Sequence, residues 1–146
     1  MKNFELQSDE FLIVPIELET MILTANLNKE VVLTLYSPRL GKACVCRNVK
    51  TEKMTSVFKE FMGDAKIAGV DYPRLIKVKL AGGNDSKEPE IYVQNLLIEL
   101  MKIDNGTDAL DIIAFDVCTR VHPNSIIFDC GTGEMREAKN TNLKLD

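Results

Sequence analysis

The sequence is poor in histidine and in large aromatic side chains. Its 146 residues include no tryptophan, three tyrosines, six phenylalanines and a single histidine, His122. With so few large aromatic side chains, no residue stands out as the anchor of a binding hot spot. His122 is the only imidazole that could serve as a base near neutral pH. Because Pro123 follows it directly, we expect His122 to be a solvated loop residue.

A basic surface and a membrane-directing segment are also missing. The net charge of −4 disfavours binding to nucleic acids and adhesion to an anionic membrane. The first ten residues contain no apolar segment of the kind found in signal peptides. The apolar run 11–16 is too short to span a bilayer, and Pro15 interrupts it. We therefore expect a cytoplasmic protein with no membrane insertion.

The four cysteines do not form a recognisable disulfide or metal pattern. They are Cys44, Cys46, Cys118 and Cys130. In a reducing compartment disulfides are not expected. Cys44 and Cys46 would point to one face of a strand, but the other two lack the close spacing of zinc ligands. We expect all four to be small buried hydrophobic residues, with no bound metal or cofactor.

Composition and length predict one domain. The hydrophobic share is 45% and the charged share 27%, both ordinary for a globular protein. A chain of 146 residues can bury its own core. We expect the core to cover about 11–136, with tails at 1–9 and 139–146.

Hydrophobic periodicity predicts a layered α/β sandwich with a mostly antiparallel or mixed sheet and two long helices. The expected strands are 11–18, 30–36, 43–49, 75–80, 110–117 and 125–130, the last pairing with the segment after the turn 131–133. The expected helices are 51–66, with Thr51 as N-cap, and 89–102. Their apolar stripes are Met54, Val57, Phe58, Phe61 and Met62, and Val93, Leu96, Leu97, Leu100 and Met101.

Two successive segments near the N-terminus resemble a known family. Residues 21–36 read MILTANLNKEVVLTLY, and residues 40–46 read LGKACVC. They are similar to T-x-x-L-G-S-C-V-A-V-x-L-Y-D and G-G-x-A-H-F, the opening motifs of the chemoreceptor glutamine deamidase family (CheD). In this alignment Thr24 keeps the family's assisting threonine. Glu30 stands at the position of the nucleophilic cysteine, and Cys44 at that of the histidine base.

The second half of the chain extends the resemblance to about 11–136. The segment 77–83, KVKLAGG, resembles K-x-F-G-G, and 91–96, IYVQNL, keeps the asparagine of I-G-x-R-N-V. The segment 116–119 stands where the family has D-V-G-G, and Thr132 with Gly133 resembles its closing T-G. The resemblance implies a CheD-like fold. Its implied binding residues are Gly82, Gly83, Asn95 and Thr132.

The resemblance also implies an activity and partners. Family members are protein-glutamine glutaminases, in which a cysteine attacks a receptor glutamine amide and a histidine activates the thiol. Their partners are chemoreceptor cytoplasmic helices and CheC-type phosphatases. Glu30 is a poor nucleophile toward an amide and Cys44 is not an imidazole base, so the family's catalytic pair is not intact. We expect Glu30 to be solvated at the mouth of its strand or, if buried, to pair with Lys29 or Lys42.

Three functions remain open. The first is a catalytically inactive member that binds receptors or phosphatases in a chemotaxis-like signalling pathway. The second is an active deamidase with a relocated catalytic residue, such as Cys44 or Glu30. The third is a structural or regulatory domain outside chemotaxis that shares only the fold.

Overall fold

Apolar strand sequences build two β-sheets in the computed structural model, which describes residues 2–63, 74–120 and 124–138. The strands are β1 (Asn3–Glu5), β2 (Glu10–Pro15), β3 (Met21–Thr24), β4 (Val31–Ser37), β5 (Lys42–Arg47), β6 (Ile76–Gly82), β7 (Leu110–Val117), β8 (Ile126–Asp129) and β9 (Glu134–Glu137). The helices are α1 (Met54–Met62) and α2 (Lys87–Asp104), and short 3₁₀ turns occupy Ile16–Leu18 and Thr51–Lys53.

The large sheet has the strand order β2-β5-β4-β6-β7, and the small sheet has the order β1-β3-β8-β9. In the large sheet β6 and β7 run parallel and are joined through α2, whereas the other neighbours are antiparallel. A parallel pair requires such a crossover connection. The central strand β4 is buried along nearly its whole length, which explains its continuous apolar sequence.

Two hydrophobic cores lie on opposite faces of the large sheet. One is shared with α1 and α2 and contains Leu33, Leu35 and Phe58. The other is shared with the small sheet and contains Val32, Val45 and Phe128. The molecule therefore has three layers, helices, large sheet and small sheet, and the predicted α/β layered fold is confirmed.

Helix α1 follows its predicted stripe but not its predicted start. All five stripe residues are buried. Thr51 begins a 3₁₀ turn rather than capping the helix, because α1 starts only at Met54. Gly63 ends the helix with a positive φ of 60°, and the predicted continuation to 66 lies outside the described residues.

Helix α2 begins after Ser86 and ends at Asn105, whose left-handed conformation lets its N–H bond the carbonyl of Met101. The predicted apolar stripe is correct for Leu96 and Leu100, which are buried. It is wrong for Met101, which is 69% exposed, because the helix turns that side away from the sheet. None of the described helices is both long and apolar enough to cross a membrane.

Two predictions near the N-terminus are also wrong. The segment 1–9 is not a tail, since β1 pairs in parallel with β3 and Leu6 is buried in the core toward the small sheet. The strand expected at 11–18 ends at Pro15, and a 3₁₀ turn follows. The predicted tail at 139–146 lies outside the described residues.

Candidate functional site

The hairpin formed by β4 and β5 places an acidic and a basic side chain together at its open end. The register pairs Val32 with Arg47 and runs to Ser37 and Lys42 at the turn. Glu30 lies just before β4, and the hairpin continues beyond the ladder through a bond from the N–H of Asn48 to the carbonyl of Val31. Arg47 follows Cys46 and so points to the opposite face, toward the small sheet. It thereby comes to lie beside Glu30.

Glu30 and Arg47 form a nearly buried ion pair. The Nη2 atom of Arg47 lies 2.8 Å from Oε1 of Glu30, and Nε donates to the same oxygen at 3.3 Å. The side chains are 8% exposed for Arg47 and 21% for Glu30. Arg47 Nη1 also donates to the carbonyl of Leu6 at 2.8 Å. The guanidinium therefore ties the β1–β2 connection to the start of β4, and the expectation of a solvated Glu30 is wrong.

The electrostatic setting keeps Glu30 ionised. Burial raises the pKa of its carboxyl, but hydrogen bonding from Arg47, the nearby hydroxyl of Ser8 and the charge of Arg47 outweigh burial, so the pKa lies below its usual value. Oε2 is buried and accepts no hydrogen bond from the described residues. The carboxylate thus depends on Arg47.

The lysines considered as partners of Glu30 are engaged elsewhere. Lys29 lies 3.5 Å from the carboxylate of Glu88, near the start of α2. Lys42 donates to the carbonyl of Phe61 at 3.2 Å, near the end of α1. The prediction that Glu30 pairs with Lys29 or Lys42 is therefore wrong, and Arg47 is the residue that it missed.

Cys44 lies in the core toward the helices, away from Glu30. Its side chain is fully buried, with its sulfur 3.8 Å from that of Cys46. Burial, together with the neighbouring Cys46, raises the pKa of the Cys44 thiol well above its ordinary value. Cys44 pairs with Leu35, five residues after Glu30, so at about 3.4 Å per residue the two positions are roughly 17 Å apart along the hairpin. The structure does not bring Glu30 and Cys44 together.

The glycine pair contacts the backbone of Glu30, whereas Thr24 contacts strand β8. Thr24 is buried at the end of β3 and donates from Oγ1 to the carbonyl of Ile126 at 3.3 Å. The N–H of Gly83 bonds the carbonyl of Glu30 at 2.8 Å. Gly82 has a φ of 88°, and a Cβ there would come within 2.6 Å of the same carbonyl oxygen. The Gly82-Gly83 turn therefore supports the backbone that carries Glu30.

The other two predicted binding residues lie elsewhere. Asn95 is on the exposed surface of α2. Thr132, in the turn between β8 and β9, lines a cavity of about 390 Å³ together with Glu17, Glu19 and Asp129. The four predicted binding residues therefore do not form one site.

Comparison with known proteins identifies a relative. No family model matches the chain. The uncharacterized protein RC0132 of Rickettsia conorii is 44% identical over 62 residues, which are 42% of this chain and 83% of that protein. This chain belongs to the RC0132 family. Since RC0132 is itself uncharacterized, the function must be argued from the site.

The remaining cysteines of this RC0132 family member differ in their surroundings. Cys130 is fully buried, and burial raises the pKa of its thiol to about 12. Cys118 is only partly buried, so the prediction of a buried residue is wrong there, and burial with the nearby Glu90 raises the pKa of its thiol. His122 lies outside the described residues. Within the described ranges no three His, Cys, Asp or Glu side chains form a group that could hold a metal ion.

Proposed function

We propose that this chain is a catalytically inactive, CheD-like binding protein whose partners are chemoreceptor cytoplasmic helices or a CheC-type phosphatase. The observation that carries this proposal is the Glu30–Arg47 ion pair. Glu30 of this pair stands where, by the resemblance, a deamidase would hold its nucleophile, whereas the resemblance gives Cys44 as the position of the base.

The need for contact between nucleophile and base supports Arg47, rather than Cys44, as the position of the base in this proposal. A base must lie within hydrogen-bond reach of the nucleophile that it activates. The side chain that lies within hydrogen-bond reach of position 30 is that of Arg47, whose Nη2 is 2.8 Å from Glu30 Oε1. Cys44, roughly 17 Å away along the hairpin, does not meet this condition. Arg47 therefore replaces the family's histidine in this proposal.

Neither member of the ion pair can perform the deamidation chemistry. A guanidinium stays protonated at all working pH values and so cannot accept the proton of a nucleophile. The carboxylate of Glu30 is a weak nucleophile toward an amide, and its Oε1 is occupied by two donors from Arg47. The relocated-residue alternative is weakened as well, because a fully buried thiol such as Cys44 offers neither thiolate nor access.

The ion pair has a structural role that is compatible with binding. Arg47 holds Glu30 and the carbonyl of Leu6, and Gly83 holds the backbone of Glu30. The connections β1–β2, β3–β4 and β6–α2, which meet at this end of the large sheet, are thereby fixed to one another. A rigid scaffold without reactive groups is what a binding protein requires, since interface surfaces survive the loss of a catalytic pair.

The test separates catalysis from binding. The purified chain is incubated with glutamine-bearing chemoreceptor cytoplasmic fragments, and ammonia release and conversion of glutamine to glutamate are measured beside a deamidase with an intact cysteine–histidine pair. We expect no turnover but retention of a receptor fragment or a CheC-type phosphatase on the immobilised chain. Ammonia release abolished by Cys44→Ala would overturn catalytic silence. Binding to neither partner would overturn the binding role and favour a domain outside chemotaxis.

A further inference from the structure

Strand β7 forms one edge of the large sheet. It has eight residues, Leu110–Val117, of which 110–114 and Val117 pair in parallel with β6 on one side, with a bulge between them. On its other side β7 pairs with no strand of the described ranges. An edge of this kind presents backbone N–H and C=O groups that can pair with another strand.

The exposed edge carries apolar side chains on both faces of the sheet. Ile112 is 37% exposed and Ile113 is 40% exposed. The register pairs Ile112 with Val78, which belongs to the core toward the helices. Ile113 pairs with Lys79, whose ammonium donates to the carbonyl of Gly133 on the side of the small sheet. A strand added at this edge would therefore cover apolar surface above and below.

Helix α2 extends this apolar surface on the helix side. Its Asp104 accepts a hydrogen bond from the backbone N–H of Leu110 at 3.0 Å, so the end of α2 lies against the start of β7. Met101, one turn earlier, is 69% exposed, and Ile98 and Ile91 continue the exposed side at 51% and 53%. We name these five residues the edge surface: Ile91, Ile98, Met101, Ile112 and Ile113.

The opposite edge of the large sheet is protected by comparison. Strand β2 is shorter than β7 and ends at Pro15, a residue that cannot donate a ladder hydrogen bond. Its Phe11 and Ile13 are partly covered by the core toward the helices. A short strand and a terminal proline thus limit edge pairing at β2. Strand β7 has a bulge only after 114, and before that bulge it exposes two adjacent isoleucines.

We propose that the edge surface is the interface of a homodimer, in which β7 of one copy pairs antiparallel with β7 of a second copy. The two-fold axis makes one continuous sheet from the two large sheets and places the two α2 helices side by side on the same face. The same patch is used on both copies, as in the commonest form of symmetric dimer.

The area of the edge surface fits a second copy of this chain. At roughly 100 Å² for each half-exposed side chain, five residues supply about 500 Å² of apolar surface per copy, whereas a standard interface buries about 800 Å² per partner with somewhat more than half of it apolar. The edge surface therefore supplies about the apolar share of one standard interface, and the paired β7 backbones supply its polar share.

The test measures the mass of the full chain alone by sedimentation velocity over a concentration series. We expect a dimer, and we expect Ile113→Lys to raise the dissociation constant by at least about tenfold because the new ammonium is placed at the two-fold axis. Met101→Lys, on an exposed helix side that the fold does not need, is expected to act in the same direction. The matched control is Leu18→Lys, which changes a 53% exposed leucine in the 3₁₀ turn that follows β2 and should leave the dimer intact.

Amide hydrogen exchange supplies a second readout. The N–H groups on the free side of β7 should exchange more slowly at high protein concentration in the native chain, and this protection should disappear in Ile113→Lys. A chain that stays monomeric over the whole series contradicts the proposal, even if another protein binds the same edge. A dimer that resists both edge variants contradicts it equally. Since no receptor or phosphatase is present, failure here is distinct from failure of the proposed function.

Discussion

Removal of the guanidinium at position 47 tests whether the ion pair is part of the stable fold. In Arg47→Met, the carboxylate of Glu30 keeps its burial but loses its charged partner, and the carbonyl of Leu6 loses a 2.8 Å hydrogen bond. Loss of one member of a buried pair typically costs 3–5 kcal/mol. Because Glu30 is 21% exposed and can take up a proton, we expect the lower end, about 3 kcal/mol. This is a large part of the stability of an ordinary domain.

Urea unfolding at neutral pH measures this loss, and a double-mutant cycle assigns it to the pair. Glu30→Gln keeps an oxygen that can accept from Arg47, so we expect it to cost only about 1–2 kcal/mol. The double variant Glu30→Gln/Arg47→Met leaves no buried charge. The loss of unfolding free energy in the double variant should be about 2 kcal/mol smaller than the sum of the losses in the two single variants.

The pH dependence of unfolding has a definite sign. Folding lowers the pKa of Glu30, so its contribution to stability is complete above the ordinary value of 4.5 and is lost as the pH falls through the lower folded value. In Arg47→Met the desolvated carboxyl can instead be protonated, so the difference between native chain and variant should shrink in acid. A cost below about 1 kcal/mol at neutral pH, the usual worth of a surface pair, would refute the reasoning, as would strictly additive changes.

Three further predictions concern the glycine turn, the Glu30–Arg47 pair and the cysteines. Gly82→Ala should lower the unfolding free energy by about 2–3 kcal/mol in the same urea titration, because its Cβ would lie 2.6 Å from the Glu30 carbonyl oxygen. The control is Gly106→Ala, which also has a positive φ but nothing within 4 Å of its Cβ. It should lower the unfolding free energy by only about 1 kcal/mol. Glu30→Cys/Arg47→His should give a thiol whose alkylation rate, plotted against pH, shows an inflection from the titration of the imidazole. Glu30→Cys/Cys44→His should lack that inflection. It should also unfold at a lower urea concentration, since its imidazole would enter an apolar core. Iodoacetamide should modify Cys118 in the native chain before Cys44, as read by peptide mass spectrometry; equal rates would contradict the burial of Cys44.

The elements that sequence predicts best are those whose pattern is decided locally. The five apolar positions of α1 follow the helical period, and all are buried. The strands β4 and β7 coincide with apolar runs bounded by turn signals. The turn 131–133 was predicted to pair 125–130 with the segment after it, and β8 does pair with β9. Local periodicity therefore sufficed for the layers.

The features that the sequence does not predict depend on contacts between distant segments. Strand β1 has only three residues, and its existence rests on parallel pairing with β3, which no local pattern reveals. Met101 belongs to the correct helical period, but the side of α2 that is covered depends on the position of α1 and the sheet. Neither the length of β1 nor the width of the α2 stripe could have been read from propensities.

The sequence indicates Glu30 but not its partner Arg47, and the reason is geometrical. Alignment by the motif G-G-x-A-H-F placed the base at Cys44, but the pairing of β4 with β5 is fixed by the turn after Ser37. Counted outward from that turn, Cys44 faces Leu35 in the middle of the hairpin, and Arg47 reaches Glu30 at its open end. Turn position constrains which side chains can meet more strongly than motif letters do, because a shift of one residue would send Arg47 to the opposite face. A carboxylate beside a guanidinium at this end forms a structural ion pair, which contains neither a thiol nor an imidazole.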